Sequence, residues 1–173
     1  MDGHTRRIKI LAMIKSSDRA VSASFLAKEL GVSRQVIVGD VALLRAEGQE
    51  IIATARGYIV DNITKKNQYT RKIACQHTPV QTIDELYLLV DLGARVDDVI
   101  IEHEVYGELS GSLGIECRAD ADLFIKKLAS SQSRLLSELT MGIHLHTVSC
   151  RSKEHFDEIM VMMHKAGYLV NEN

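Results

Sequence analysis

A chain of 173 residues holds either one domain or two small ones, each near the lower size limit for an independent core. Hydrophobic residues at 46% and charged residues at 25% are ordinary for a globular protein. No apolar run approaches the ~20 residues of a membrane span, so no spanning helix is predicted. The odd cysteine count (Cys75, Cys117, Cys150), with no CxxC pair, argues against a disulfide framework. Reduced, structural thiols in a cytoplasmic protein are expected, and MDGHTRRIKI lacks the apolar core of a secretory signal.

The net charge of −2 is unevenly spread. Residues 1–60 carry nine Lys/Arg against six Asp/Glu, and the remainder carries twelve against seventeen. A basic front on an acidic body suggests a polyanionic partner for the front alone.

The first segment, TRRIKILAMIKSS, has helical periodicity, with Ile8, Leu11, Ala12 and Ile14 setting the apolar side. A short helix FLAKEL follows, capped by Ser22 or Ser24, with Phe25, Leu26 and Leu30 as its buried stripe and Gly31 as its stop. Ser33 caps the next helix, whose inward residues are Val36, Ile37, Val41 and Leu44. Two short helices joined by a glycine-containing turn form a helix-turn-helix. The second helix of such a pair reads the major groove through its first turns, here Ser33, Arg34, Gln35 and Val38. Arginine pairs with guanine and glutamine with adenine in bidentate fashion. The plainer alternative is that Arg34 and Gln35 only solvate an exposed helix start. EIIAT and GYIV flank a turn around residues 55–57 and read as a hairpin with Arg56 at its tip, placed for a phosphate or the minor groove. The run ELGVSRQVIVGDVALLRAEGQEIIATARGYIV resembles the bacterial winged-helix repressor modules, over roughly the first third of the chain.

Residues 61–72 (DNITKKNQYTRK) are polar and aperiodic, a connector, so the domains are expected at 1–61 and 62–173. Beyond them, 73–77 is strand-like. Residues 82–93 are helical between a Thr82 cap and a Gly93 stop. A strand centres on residues 99–101 and enters a turn closed by Gly107. Residues 119–131 form a helix, SRLLSEL a second short one, GIHLHTVSC a strand, and SKEHFDEIMVMMHKAGYLV a helix ending at Gly167 before a short terminal strand. The fold class is therefore α+β: a winged helix-turn-helix, then an α/β domain whose sheet is covered by helices.

Seven histidines are present. His4, His155 and His164 fall on helices or at the terminus and are expected to be solvated, whereas His77, His103, His144 and His146 lie at strand ends or edges. His144 and His146, two apart on a strand, share one face and are able to chelate a divalent cation, although packing or hydrogen bonding is the plainer reading of that spacing alone.

The segments CQHTPVQTIDEL, VIIEHEVYGEL and GIHLHTVSC resemble the signature stretches of the three-histidine (3H) regulatory domain, and the chain nearly end to end resembles the nicotinate-responsive repressors of NAD biosynthesis and niacin salvage genes. The resemblance implies a homodimer on operator DNA, with nicotinate as co-repressor and a divalent metal held by His77, Glu85, His144 and His146. Imidazoles with a carboxylate suit nickel or zinc better than calcium or magnesium. Glu85 on its own also reads as a solvated charge near a helix N-terminus. His103 is either a supporting partner or effector contact, or a histidine that fixes its turn; Tyr106 or Tyr87 is placed to line an effector slot. The Leu86, Leu89, Val90 stripe and the Met160–Met163 face suit either dimerisation or the core. Two alternatives remain: a regulator for which the cation itself is the signal, and a metal-dependent hydrolase using Glu102 or Glu104 as base, against which no nucleophile elbow, phosphate loop or HExxH motif is found.

Overall fold

The computed structural model describes residues 1–60 and 68–172, and on either side of residues 61–67 the chain folds as two compact units. The expected domain boundary and most of the expected connector lie outside the described residues; from Tyr69 the supposed connector is already strand.

In the N-terminal unit, α1 (Gly3–Lys15), α2 (Ala23–Leu30) and α3 (Arg34–Ala46) precede a hairpin of β1 (Ile51–Thr54) and β2 (Gly57–Val60). Ser22, not Ser24, caps α2 by accepting from the Phe25 N–H, and Ser33 caps α3 by accepting from the Val36 N–H. Gly31 ends α2 in the left-handed region. The core is Ile10, Ile14, Leu26, Ile37, Val41, Leu44 and Ile51. Four expected core positions are corrected: Ile8 and Phe25 are 56% and 50% exposed, and Ala12 and Val36 are also exposed. In α1 the pair Ile10 and Ile14, four apart, turns inward, which carries Ile8 to the open side. In α2 the inward residues are Ala23, Leu26 and Ala27, so Phe25 lies on the opposite face. Asp40 on α3 is buried, and Arg6 of α1 pairs with it through Nε (2.5 Å) and Nη2 (3.3 Å), a two-pronged link between helices. Gly57 is required where it stands: at φ 138° a β-carbon would lie 2.5 Å from the Val21 carbonyl oxygen, which bonds the Tyr58 N–H.

The C-terminal unit is built on one antiparallel sheet. Its strands are β3 (Tyr69–Gln76), β4 (Arg95–His103), β5 (Gly107–Ile115) and β6 (Ile143–Cys150), in the order β3-β6-β4-β5. The helices are α4 (Thr82–Asp91), α5 (Arg118–Ser130) and α6 (Lys153–Ala166). Leu86 and Leu89 of α4, Ala121 of α5, and Ile159 and Met163 of α6 form one core with Ile73, Val96, Leu113, Ile115 and Val148 of the sheet. Leu86, Leu89 and Met163 are thus core residues, which removes them as a dimerisation surface.

The structure departs from the sequence expectations at several points. GELSGSLGI is a full strand, β5, not foreseen by its glycine- and serine-rich pattern; it pairs with β4 from His103↔Gly107 to Val96↔Ile115. SRLLSEL yields only a 3-10 turn at Leu136–Thr140, and the expected terminal strand is one bridge, Leu169 to Cys75. A 3-10 turn at Pro79–Gln81 leads into α4, so Thr82 is inside the helical run and does not cap it. His155 is buried, its Nε2 2.5 Å from the Leu92 carbonyl oxygen, because the start of α6 packs over the end of α4. His4 and His164 are exposed, as expected.

Candidate functional site

The central strand β6 carries His144 and His146, and the sheet register settles which way they face. His144 lies opposite Cys75 and His146 opposite Ile73, and all four residues are buried on the helix-covered side. Ile143, by contrast, is 45% exposed. The histidine face of the strand is therefore the inner face.

Glu85 projects from α4 onto that face with no exposed surface. Its Oε2 is 2.6 Å from His77 Nε2, and its Oε1 is 3.4 Å from both His144 Nε2 and His146 Nε2. The imidazoles meet edge to face, with centroids 4.8 Å apart for His77–His144 and 4.7 Å for His144–His146. The structure thus brings together His77, Glu85, His144 and His146 from the end of β3, from α4 and from β6.

The other ring nitrogens explain why these four are held so. His77 Nδ1 lies 2.9 Å from the Thr78 carbonyl, His144 Nδ1 2.8 Å from that of Gly142, and His146 Nδ1 2.6 Å from that of Asp98. A carbonyl only accepts, so each Nδ1 carries the proton and donates, and in the neutral ring Nε2 keeps a lone pair. Three lone pairs and a carboxylate pointing at one another repel unless positive charge lies between them, as protons or as a cation. Glu85 Oε1, buried and without a hydrogen-bond partner, marks the same gap. Imidazoles with the second nitrogen pinned by backbone carbonyls are the usual supporting arrangement of metal-binding histidines.

Two local devices build this arrangement. Between Val96↔Val148 and Ile100↔Leu145 three residues of β4 (97, 98, 99) oppose two of β6 (146, 147), a bulge. It presents the Asp98 carbonyl to His146, while Asp98 Oδ1 accepts from the Thr147 N–H at 2.8 Å. At the other end Gly142, φ 89°, lies so close to His77 that a β-carbon would sit 2.3 Å from the His77 carbonyl oxygen. Gly142→Ala is expected to cost about 1–3 kcal/mol from backbone strain alone. It should also displace His77 from Glu85, and thermal denaturation measures the cost. Neither Asp98 nor Gly142 was foreseen as a site residue; the acidic pair Asp97–Asp98 beside a strand centre was the one available signal.

The electrostatics are those of a coupled cluster. Burial alone would raise the Glu85 carboxyl, but the His146 charge and the three imidazoles facing it outweigh burial and hold it well below the usual carboxylate range. Burial would lower His77 and His146, and Glu85 overrides it, leaving both raised. The raised imidazoles contribute stability fully present below their ordinary value near 6.5 and lost as pH rises through the folded value. The lowered carboxyl contributes stability present above about 4.5 and lost as pH falls. The metal-free domain is expected to be most stable between about pH 4.5 and 6.5. A cation held by these side chains would move the optimum upward, because it needs deprotonated rings. Denaturation of chelator-treated protein across pH checks this, and a maximum above pH 8 without metal would contradict it.

His103 and Tyr106 lie elsewhere, at the exposed β4–β5 turn. His103 Nδ1 accepts from the Val105 and Tyr106 N–H groups at 3.1 and 3.3 Å, and the two rings touch at 5.2 Å. No hydrogen bond or ring contact joins them to the four-residue cluster among the described residues. Tyr87 donates to Asp122 and lies under the Arg118 guanidinium on the α4–α5 surface. A cleft of about 430 Å³ opens beside His77, lined by Gln76, Thr78, Pro79, Gln81, Met141 and Gly142, with Glu138 as its one acidic side chain.

In the N-terminal unit Ser33, Arg34 and Gln35 are exposed at the start of α3 and Val38 is half-buried one turn on. Arg56 is in the β1–β2 turn, its N–H donating to Thr54 Oγ1 at 3.2 Å. The base-reading candidates thus share one helix end, and the candidate backbone contact sits on the hairpin tip.

Comparison with known proteins agrees with this division. Residues 6–59 match the profile of a helix-turn-helix (HTH) domain family and residues 70–172 that of the 3H domain. The chain is 40% identical over 172 residues to the transcription repressor NadR of Bacillus subtilis (strain 168), covering 98% of this chain and 96% of that one. It is 37% identical over 163 residues to the probable transcription repressor NiaR of Thermotoga maritima, covering 94% and 92%.

Proposed function

The chain belongs to the helix-turn-helix transcription repressors that carry a 3H domain, and from that premise we propose that it represses genes of NAD biosynthesis or niacin salvage, with nicotinate as co-repressor and a divalent cation in its regulatory domain. That its relatives are repressors sets aside the hydrolase reading.

One observation carries the metal part of the proposal: three imidazole Nε2 atoms converge on a buried carboxylate, with every Nδ1 already committed to a carbonyl. His77, Glu85, His144 and His146 would hold the ion, with nickel or zinc the suitable choice for this donor set. When bound, the cation supplies a positive centre able to attract an anionic effector. His77 belongs to the cluster with its ring almost wholly buried and also lines the cleft, whose volume suits a small planar acid bound away from Glu138. The backbone around Thr78 and Gly142 positions the ring between them.

DNA reading falls to α3. Two copies of the helix, one per half-site, fit a homodimer on a two-fold operator. An effector strengthens repression only by binding the DNA-competent arrangement of the dimer better than the other. The proposal is tested with operator DNA selected by the wild-type chain from a random library. Arg34→Ala is expected to cost about 1–3 kcal/mol of operator affinity and to relax specificity at one base position, whereas Arg56→Ala weakens binding to all sequences alike. Nicotinate should tighten operator binding of the metal-loaded protein. Unchanged affinity would overturn the co-repressor reading and leave the DNA-binding one standing. A response to chelator without any response to nicotinate would favour a regulator that senses the cation itself.

A further inference from the structure

The fifth residue at the cluster is Cys75. Its place follows from register: β3 runs antiparallel to β6 with Cys75 directly opposite His144, so thiol and imidazole project to the same inner face. The Cys75 sulfur, a Glu85 carboxylate oxygen and a His144 ring nitrogen all lie within 4.8 Å of one another, and all three residues are buried. Glu85 Oε1, 3.4 Å from the Nε2 atoms of His144 and His146, is buried without a well-formed hydrogen bond. Cys150, two strand positions beyond Val148, gives the contrast: its thiol turns to the Ser152 carbonyl, as a structural cysteine does. Both cysteines are buried in the core, as expected of structural thiols, but Cys75 alone stands against the histidine cluster.

Resting on the metal reading above, we infer that Cys75 is a further protein donor to the cation, as thiolate. Charge balance supports it. A divalent ion held by three neutral imidazoles and Glu85 alone leaves one positive charge in a buried site, which is costly. Thiolate sulfur beside Glu85 brings the assembly to neutrality. Ligation breaks the S–H bond, forms a sulfur–metal bond and releases one proton to solvent, with no change of oxidation state. Sulfur among the donors favours zinc, nickel or cobalt over magnesium, calcium or manganese.

Cobalt(II) added to the metal-free full-length chain tests this. Wild type and Cys117→Ser should each show a near-ultraviolet sulfur-to-cobalt charge-transfer band. Cys75→Ser should bind cobalt without that band and hold zinc about tenfold or more weaker. A band of equal strength in Cys75→Ser, or cobalt-loaded wild type lacking the band, overturns the inference while leaving the metal site itself intact. Should Cys75→Ser not fold, X-ray absorption of zinc-loaded wild type decides. One sulfur at about 2.3 Å supports the inference, and a shell of nitrogen and oxygen alone at about 2.0–2.2 Å overturns it. A chain that takes up neither ion overturns the metal reading and this inference with it.

Discussion

Glu85→Ala is expected to lower the stability of the metal-free protein by about 3–5 kcal/mol near pH 6, among the largest effects of any single side chain here. The carboxylate has no exposed surface and faces three imidazoles, two of them raised because it is there. Without it, a protonated ring has no counter-charge and no water to replace one. The cost should shrink as pH rises past the imidazole range, because neutral rings need no partner. Glu85→Gln separates charge from hydrogen bonding. Its amide donates to a ring Nε2, so it should cost less, about 1–3 kcal/mol, yet it too should impair cation binding. Urea denaturation of chelator-treated variants measures both. A Glu85→Ala protein within about 0.5 kcal/mol of wild type would mean that the buried cluster has little electrostatic coupling.

The second large effect is on the cation. His144→Ala with His146→Ala removes two adjacent donors from the central strand while leaving Val148 and the core beneath it untouched. Loss of a group that merely supports a ligand costs about 10–100-fold in metal affinity, and removal of two ligands should exceed that, to beyond about 100-fold. Zinc titration and elemental analysis of the dialysed protein give the measure. The helix-turn-helix core, Ile10, Leu26, Ile37 and Val41, belongs to the other unit. Binding to non-operator DNA should therefore survive, while any nicotinate response is lost. Metal content equal to wild type would remove both residues from the site.

The parts legible in the sequence are those governed by local chemistry. Ser33 as a cap, Gly31 as a stop and a hairpin turning at Arg56 are each set by a few adjacent residues, and each stands where expected. That His144 and His146 share a face follows from the two-residue period of a strand alone. Which face is buried does not follow. Ile143 and Leu145 offer an apolar alternative, and the choice is made by Glu85 and the Asp98 carbonyl, 59 and 48 residues away, which satisfy the imidazoles inside. For the same reason β5 was not foreseen: with glycine and serine in the middle of GELSGSLGI, its strand character comes from pairing with β4 and not from its own pattern. Phe25 misled in the opposite sense. Its hydrophobicity argued for the core, while the two alanines of α2 occupy the inward positions and leave it on the outer face. Nothing in the sequence singles out Cys75: the cysteine count speaks only to disulfides, and its strand partner His144 is 69 residues away and known only through the sheet register.

Crystals grown with zinc or nickel and measured on both sides of the metal absorption edge would locate the ion directly. One anomalous peak per chain, within bonding distance of the Nε2 atoms of His77, His144 and His146 and of a Glu85 oxygen, is the expected result. A metal-saturated protein whose peak lies away from these four side chains, or that shows none, would contradict it.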